Sequence, residues 1–159
     1  CGYSCNDRTN EGVLSTRKDL VKVKISLHSV GTNEPEYITK WCDIYVKRIS
    51  SFYNFNQYNH ASNKQLYNSL HKEKSIKIGL DSLGKSLSSQ EFSKKLINFG
   101  PAVSFYIGDS DGLLDNEKES FNELWSLSML TFPHMFVRPI ILEQIFRAHC
   151  IANNHPYAK

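Results

Sequence analysis

From Val21 the chain alternates apolar and polar side chains: Val21, Val23, Ile25 and Leu27 take turns with Lys22, Lys24, Ser26 and His28, until Gly31 interrupts the run. A period of two predicts a strand, because successive side chains in a strand point to opposite faces. The period then changes. Asn33 precedes Glu34-Pro35-Glu36, and Ile38, Trp41, Tyr45 and Ile49 recur near helical spacing, which predicts a helix started by Asn33 and ending near Ile49. Residues 52–63 (FYNFNQYNHASN) are rich in asparagine and aromatic residues and leave three readings open: a poor strand, a loop or a low-complexity insertion.

Leu66 and Leu70 predict a short helix, and Ile76, Ile78 and Leu80 alternate with Lys77 and Gly79 into Asp81 as a second strand. Residues 82–89 read as a polar loop carrying Gly84, with Ser88 or Ser89 capping a helix whose Phe92, Leu96 and Phe99 share a face. The apolar run AVSFYI at residues 102–107 is a further strand that stops at Gly108, and GDSDG forms the turn after it. A helix is expected over residues 117–124 and a short strand over 127–130. A last helix enters near Pro133-His134 and carries Ile140, Ile141, Ile145, Phe146 and Ile151. Pro139 conflicts with a start that early, since it has no amide hydrogen and its ring clashes with the carbonyl four residues back. Either the helix starts later or it is kinked, and in the kinked case Pro139→Val is expected to raise stability.

Strands alternating with helices predict an α/β fold with a parallel sheet covered on both faces, because parallel neighbours need crossover connections. Ligands in such sheets bind beyond the carboxyl ends of the strands. Three loops stand there: 80–84, 108–112 and 127–132.

Composition narrows the picture only a little. At 159 residues the chain fits one domain that buries a core without disulfides or metals. Its formal net charge of +3 permits an anionic partner without naming one. Cys1, Cys5, Cys42 and Cys150 match neither a disulfide framework nor a zinc pattern, which favours a reducing compartment. Residues 1–20 are polar and without period, and are expected to be a disordered extension left from a longer precursor, ahead of a single domain over 21–159. A membrane span is not expected, since no apolar run approaches about 20 residues.

The chemistry-bearing groups are few. Glycines directly after a buried strand, as in GDSDG, let backbone approach a ligand, although an ordinary turn has the same composition. Asp109 and Asp111 disfavour a phosphate and suit a cationic ligand. His134, Arg138, Arg147, His149, His155 and Tyr157 gather toward the C-terminus in no metal-binding pattern, and no metal is expected. GxSxG, Walker, GxGxxG and HExxH motifs are absent, which removes the commonest hydrolase, nucleotide-binding and zincin readings. The residues alone reach an α/β enzyme-like domain and stop there.

One resemblance goes further. Trp125-Ser126-Leu127-Ser128-Met129-Leu130-Thr131-Phe132-Pro133-His134, Val137-Arg138, Glu143-Gln144-Ile145-Phe146-Arg147-Ala148 and Asn154-His155-Pro156-Tyr157 closely resemble the SPOUT-class ribosomal large-subunit pseudouridine methyltransferases, the RlmH family. Upstream, Val30-Gly31-Thr32, Leu80-Asp81 with Gly84-Lys85, and Phe105-Tyr106-Ile107-Gly108 with Asp111-Gly112 follow in the family's order. The resemblance implies a C-terminal trefoil knot, a homodimer, and S-adenosyl-L-methionine as cofactor for methylating N3 of a pseudouridine in 23S-type ribosomal RNA. It implies cofactor contacts at Leu80, Gly108, Gly112, Leu127, Ser128, Met129, Leu130, Thr131 and Phe132, and catalytic roles for His134, Arg138, His155 and Tyr157. The partner is then ribosomal RNA or the ribosome, and the setting the cytoplasm or an organelle with bacterial-type ribosomes. The chain departs from the family's pattern at Asp109, usually glycine, at Pro139, usually aliphatic, and in its short tail Ala158-Lys159. Asp109 and the tail keep an alternative open: a catalytically weakened RNA-binding or ribosome-assembly protein of the same fold.

Overall fold

The computed structural model describes residues 22–31 and 33–158, so the disorder expected of 1–20 lies outside the described residues. β1 (Lys24–Val30), β2 (Asn54–His60), β3 (Ile76–Ser86), β4 (Ala102–Ile107) and β5 (Glu123–Ser126) form one parallel sheet in the order β2-β1-β4-β3-β5. α1 (Glu36–Ile49), α2 (Asn63–Lys72), α3 (Ser89–Asn98) and α4 (Val137–Ala152) complete the regular structure. The connections through α1 and α3 cross the sheet in one direction and the connection through α2 in the other. Right-handed crossovers therefore put α1 and α3 on one face and α2 on the opposite one.

Burial follows that division. Ile25, Leu27, Ile78, Val103 and Phe105 pack with Ile38 and Cys42 of α1, Phe92 and Leu96 of α3, and Ile141, Leu142 and Ile145 of α4. On the other face Leu66, Tyr67 and Leu70 of α2 close over Val30, Tyr106, Leu113 and Phe121. The polar positions read in β1 are thus not a wet face: Ser26 and His28 are as buried as Ile25 and Leu27, because both faces of the sheet are covered.

The structure redraws several expected elements. Residues 52–63 supply β2, an edge strand paired only to β1, and an edge strand of this kind needs little apolar alternation. α1 starts at Glu36 with Pro35 in the capping position and no side-chain cap, so Asn33 does not cap it. Pro35, at φ −55°, begins the turn instead, and its carbonyl accepts from the Ile38 amide. α3 has the expected start, with a full capping box between Ser88 and Glu91.

No helix spans 117–124. Asp115–Ser120 is a 3-10 segment with no buried residue, and a run with no apolar stripe to bury does not propagate a helix. The strand expected over 127–130 is displaced to Glu123–Ser126, where Trp125 enters the core between Phe92, Phe99 and Phe105. Residues 127–130 are loop.

Pro139 takes the first of its two alternatives. A 3-10 turn, His134–Phe136, precedes α4, which starts at Val137. Pro139 is then the third residue of the first helical turn, where an amide has no intrahelical partner to lose. No kink is needed there, and the stability gain expected for Pro139→Val loses its basis.

β3 pairs with β5 twice, through Ile78–Leu80 and again through Lys85 and Ser86, with residues 81–84 swinging out between. A Cβ on Gly84 would lie 2.7 Å from the backbone of Leu124 and Trp125, so only glycine lets the chain close back over β5.

His28 sits between the rings of Tyr58 and Tyr106, with Nδ1 3.0 Å from Nε2 of His60. Burial first, then the neighbouring His60, pulls its pKa from 6.5 to about 4. Above pH 6.5 both folded and unfolded imidazoles are neutral. As pH falls from there toward 4 the unfolded chain takes up a proton that the folded chain refuses, so stability is lost. The loss between pH 7 and 4.5 is expected to reach roughly 2–3 kcal/mol in urea unfolding. His28→Phe, which keeps the ring stack, should remove most of that slope; an unchanged slope would show that His28 is not its source.

Candidate cofactor site

The three loops named from sequence meet at the carboxyl ends of β3, β4 and β5. A cleft of about 520 Å³ is walled by Asp81, Gly108, Asp109, Gly112, Phe132 and His134, among others. An apolar recess of about 140 Å³ adjoins it, lined by Leu80, Trp125, Leu127, Leu130, Phe132 and Val137. Leu80, Asp81, Ser82, Phe132 and Val137 border both, so the two are parts of one depression.

Backbone geometry shapes the depression. A Cβ on Gly108 would meet the Gly112 carbonyl oxygen at 2.3 Å, and Gly112 has φ +87°, a conformation that disfavours any side chain. The turn is closed by Gly112 N donating to Asp109 O at 2.9 Å. Three polar ties hold the loops together. His134 Nε2 lies 2.8 Å from the Gly108 carbonyl. A carbonyl only accepts, so Nε2 carries the hydrogen and, in the neutral ring, Nδ1 keeps its lone pair. Lys118 Nζ lies 3.0 Å from Asp81 and 2.8 Å from Asp115, fastening the loop after β3 to the segment after β4. Asn63, at the start of α2, meets Asp109.

The loop after β5 is ordered from within. Ser126 Oγ donates to the Ser128 carbonyl at 2.8 Å, and Ser128 Oγ accepts from the Leu130 amide at 2.9 Å. Met129 is 95% exposed, so its side chain leans away from the recess that Leu127, Ser128, Leu130, Thr131 and Phe132 line. Gly108, Gly112 and Leu80 stand in the walls of the depression.

The four residues expected to be catalytic divide into two pairs. His134, in the 3-10 turn, borders the cleft, and Arg138 follows in the first turn of α4. Arg138 is held by Glu34, with Nη2 and Oε2 2.9 Å apart but the N–H not aimed along that line, and its Nε faces Cys42 Sγ at 3.5 Å. Arg138 therefore lines neither the cleft nor the recess: its side chain, 12% exposed, is held against Glu34 and Cys42 on the α1 side. His155 and Tyr157 belong elsewhere in the chain. The tail folds back on α4, and Tyr157 Oη donates to Glu143 Oε1 at 2.9 Å and lies 3.0 Å from Tyr45 Oη. Burial, then the hydrogen bonds to Tyr45 and Glu143, pushes the Tyr157 phenol above its ordinary pKa, so it stays protonated and is a donor at neutral pH. Among the described residues no three His, Cys, Asp or Glu side chains gather as a metal-binding set.

The model of a family described as "Predicted SPOUT methyltransferase" matches residues 23–158. The chain belongs to that family. The family's ribosomal RNA large subunit methyltransferase H of Acholeplasma laidlawii is 35% identical over 148 residues, covering 86% of this chain and 100% of that protein. The protein of the same name from Campylobacter jejuni is 39% identical over 134 residues, covering 75% of this chain and 89% of its own. Among solved structures, the SpoU methyltransferase AviRb of Streptomyces viridochromogenes, in complex with AdoMet, shares the fold at a TM-score of 0.52 and 11% identity. That alignment covers 80% of this chain and 58% of that one.

Set in the SPOUT family, the residues that sequence reasoning passed over are Asn63 and Lys118. Both are ordinary polar residues: Asn63 is far from the glycine loops in sequence, and Lys118, though six residues after Gly112, is far from the Asp81 it meets, so only the crossover connections make these ties. The expected weak point is Gly108. Gly108→Ala forces the turn open, and cofactor affinity by calorimetry should fall at least about tenfold, the equivalent of roughly 1.4 kcal/mol, along with the melting temperature. Unchanged affinity would mean that the turn is not part of the binding wall.

Proposed function

We propose that this chain is an S-adenosylmethionine-dependent methyltransferase acting on N3 of a pseudouridine in large-subunit ribosomal RNA. The observation that carries this is the single depression formed by three loops at the strand ends, within a stretch matched along its length by relatives named for ribosomal RNA large subunit methylation. The residues fit the cofactor. The apolar recess suits a flat aromatic base, the side-chain-free turn at Gly108 and Gly112 admits a closely held polar chain, and carboxylates on the rim suit a cation. When bound, S-adenosylmethionine supplies an electrophilic methyl group. Leu80, Leu127 and Phe132 would shield the base from water, while Gly108 and Gly112 would offer backbone groups to the polar chain.

His134, fixed through Nε2 on Gly108, presents Nδ1 as the acceptor for the imide proton that leaves N3 as the methyl arrives. Arg138 has five N–H donors, so its contacts with Glu34 and Cys42 leave others for a phosphate or for the developing negative charge. The motive for a weakened, binding-only protein is reduced, since both carboxylate oxygens of Asp109 are engaged inside the wall.

The proposal includes a homodimer and a trefoil knot. α4 is covered on two sides by α1 and α3, so the uncovered apolar stripe is on α1: Tyr37, Trp41 and Ile44, at 61%, 38% and 52% exposure, share one helix face. A second copy seated there would bring its own tail, with His155 and Tyr157, toward the cleft. Support for the knot comes from residues 81–84 swinging over β5 while α4 returns from that edge to pack between α1 and α3. Among the described residues no helix is long and apolar enough to cross a membrane. The setting proposed is the cytoplasm or an organelle with bacterial-type ribosomes.

Labelled methyl from S-adenosylmethionine should appear in large-subunit RNA of ribosomes that lack the modification, and in no other RNA fraction. Cofactor binding without any transfer to such ribosomes would favour the binding-only reading. Trp41→Glu should halve the mass seen by light scattering and abolish transfer while leaving the circular dichroism spectrum unchanged; an active monomer would defeat the dimer.

A further inference from the structure

Asp109 sits in the cofactor wall, and its carboxylate is turned toward the protein. Oδ2 accepts from Asn63 Nδ2 at 2.7 Å, and Oδ1 accepts from the Asp111 amide at 3.0 Å. The contact with Asn63 is reciprocal, because Asn63 Oδ1 accepts in turn from the Asp109 amide at 3.3 Å. One side-chain amide thus grips both the backbone and the side chain of the residue that follows Gly108. Asn63 is the first residue of α2, a helix anchored on the sheet by the buried Leu66, Tyr67 and Leu70. The anchor has a second point: Tyr67 Oη accepts from the Leu114 amide at 2.8 Å, just beyond the turn.

This arrangement answers a mechanical need. Gly108 and Gly112 are required for the close approach within the turn, and glycine leaves a loop with more conformational freedom to lose on binding a ligand. A turn built this way is ordered in advance only if something outside it fixes its torsions. The charge-assisted bond from Asn63 to Asp109 and the bond from the Asp111 amide do so on both sides of the turn's first peptide.

We propose that Asn63 and Asp109 form a positioning pair that presets the Gly108–Gly112 turn for the cofactor, with α2 as the rigid support. The inference rests on the methyltransferase reading and adds two residues to it, neither of which touches the reacting atoms. The carboxylate acts through the turn and not as a counter-charge for the sulfonium. Loss of the pair therefore weakens the cationic cofactor and its neutral product S-adenosylhomocysteine alike.

The test uses the full chain with Asp109→Gly, Asn63→Ala, and the exchanged double variant Asn63→Asp with Asp109→Asn. The exchange reverses donor and acceptor in the side-chain bond and leaves the backbone amides of residues 109 and 111 with oxygen acceptors. Calorimetry should show each single variant binding S-adenosylmethionine and S-adenosylhomocysteine about tenfold more weakly, with the exchanged variant within about twofold of the original. KM for the cofactor should rise while kcat at saturation and KM for RNA hold. Amide exchange without ligand should quicken at Asp111 and Gly112 in Asp109→Gly and recover in the exchanged variant. Single variants that bind normally, an exchanged variant as weak as the singles, or a loss confined to S-adenosylmethionine would each overturn the proposal. A wild-type chain that binds no S-adenosylmethionine removes the methyltransferase reading, whereas unchanged amide exchange in Asp109→Gly removes this one.

Discussion

Backbone meets backbone at two places along the carboxyl edge of the sheet, and the other features of the site are arranged around those contacts. At Gly84 the returning end of β3 presses on Leu124 and Trp125, and at Gly108 the turn after β4 presses on Gly112. Any side chain at either point would push apart segments that have to be in register for the loops to enclose a common depression. The contact at Gly84 lets β3 pair with β5 on both sides of the excursion at 81–84, which keeps Leu80 and Trp125 side by side in the apolar recess. The contact at Gly108 sets the carbonyl that receives His134. A candidate residue in the 3-10 turn before the last helix is thereby located by the glycine that follows the fourth strand.

Close backbone contacts carry an entropic cost, and the polar ties offset it. Lys118 bridges Asp81 and Asp115, Asn63 grips Asp109, and His134 reaches Gly108, so each of the three loops is fastened to a segment other than its own strand. Asp81 is nearly buried, at 8% side-chain exposure, and its other oxygen accepts from the Leu83 amide, so the bridge with Lys118 is more than a surface ion pair. The partition of the core matters equally. α2 covers the face that carries Tyr106 and His28, and the 3-10 segment Asp115–Ser120 lies beside it, so the supports for the loop after β4 come from that face. α1, α3 and α4 take the other face and govern the loop after β5.

What could be read from the chain tracks how local the cause was. β1, β4 and the start of β3 were legible because burial imposes an alternation or an apolar run, and α3 because Ser88 and Glu91 form a capping box within four residues. The glycine loops at the strand ends were legible for the same reason. β2 was left open because an edge strand paired on one side needs little apolar patterning. β5 was misplaced by four residues because its register is set by Trp125 finding three aromatic rings that are distant in sequence. The start of α4 after Pro133 depended on a 3-10 turn that no period announces. Gly84 looked like a loop glycine, and nothing in the chain reveals that a strand passes 2.7 Å from it. The loops that border the depression were readable and their supports were not, since Asn63 meets Asp109 and Lys118 meets Asp81 through folding alone.

The position of the tail is what the proposed dimer has to account for. Tyr157 is fixed by Glu143 and Tyr45, and the guanidinium groups of Arg48 and Arg147 lie over its ring at 6.0 and 5.0 Å. The result is a cationic and aromatic cluster along the side of α4, whereas His134 lies in the 3-10 turn before the helix and Arg138 in its first turn. Aromatic rings and guanidinium planes are surfaces on which an unstacked nucleobase rests, and RNA enzymes that work on a base have to take it out of its stack. His155 and Tyr157 border neither the cleft nor the recess of their own chain, so a base resting on the tail would be away from a methyl donor in that depression. They meet if two copies lie with their α1 stripes together and their α4 helices displaced, so that each cleft faces the other's tail. In the proposed dimer the exposed Tyr37, Trp41 and Ile44 on α1 and the separation of His134 from the tail have one explanation: an RNA surface shared by the two chains.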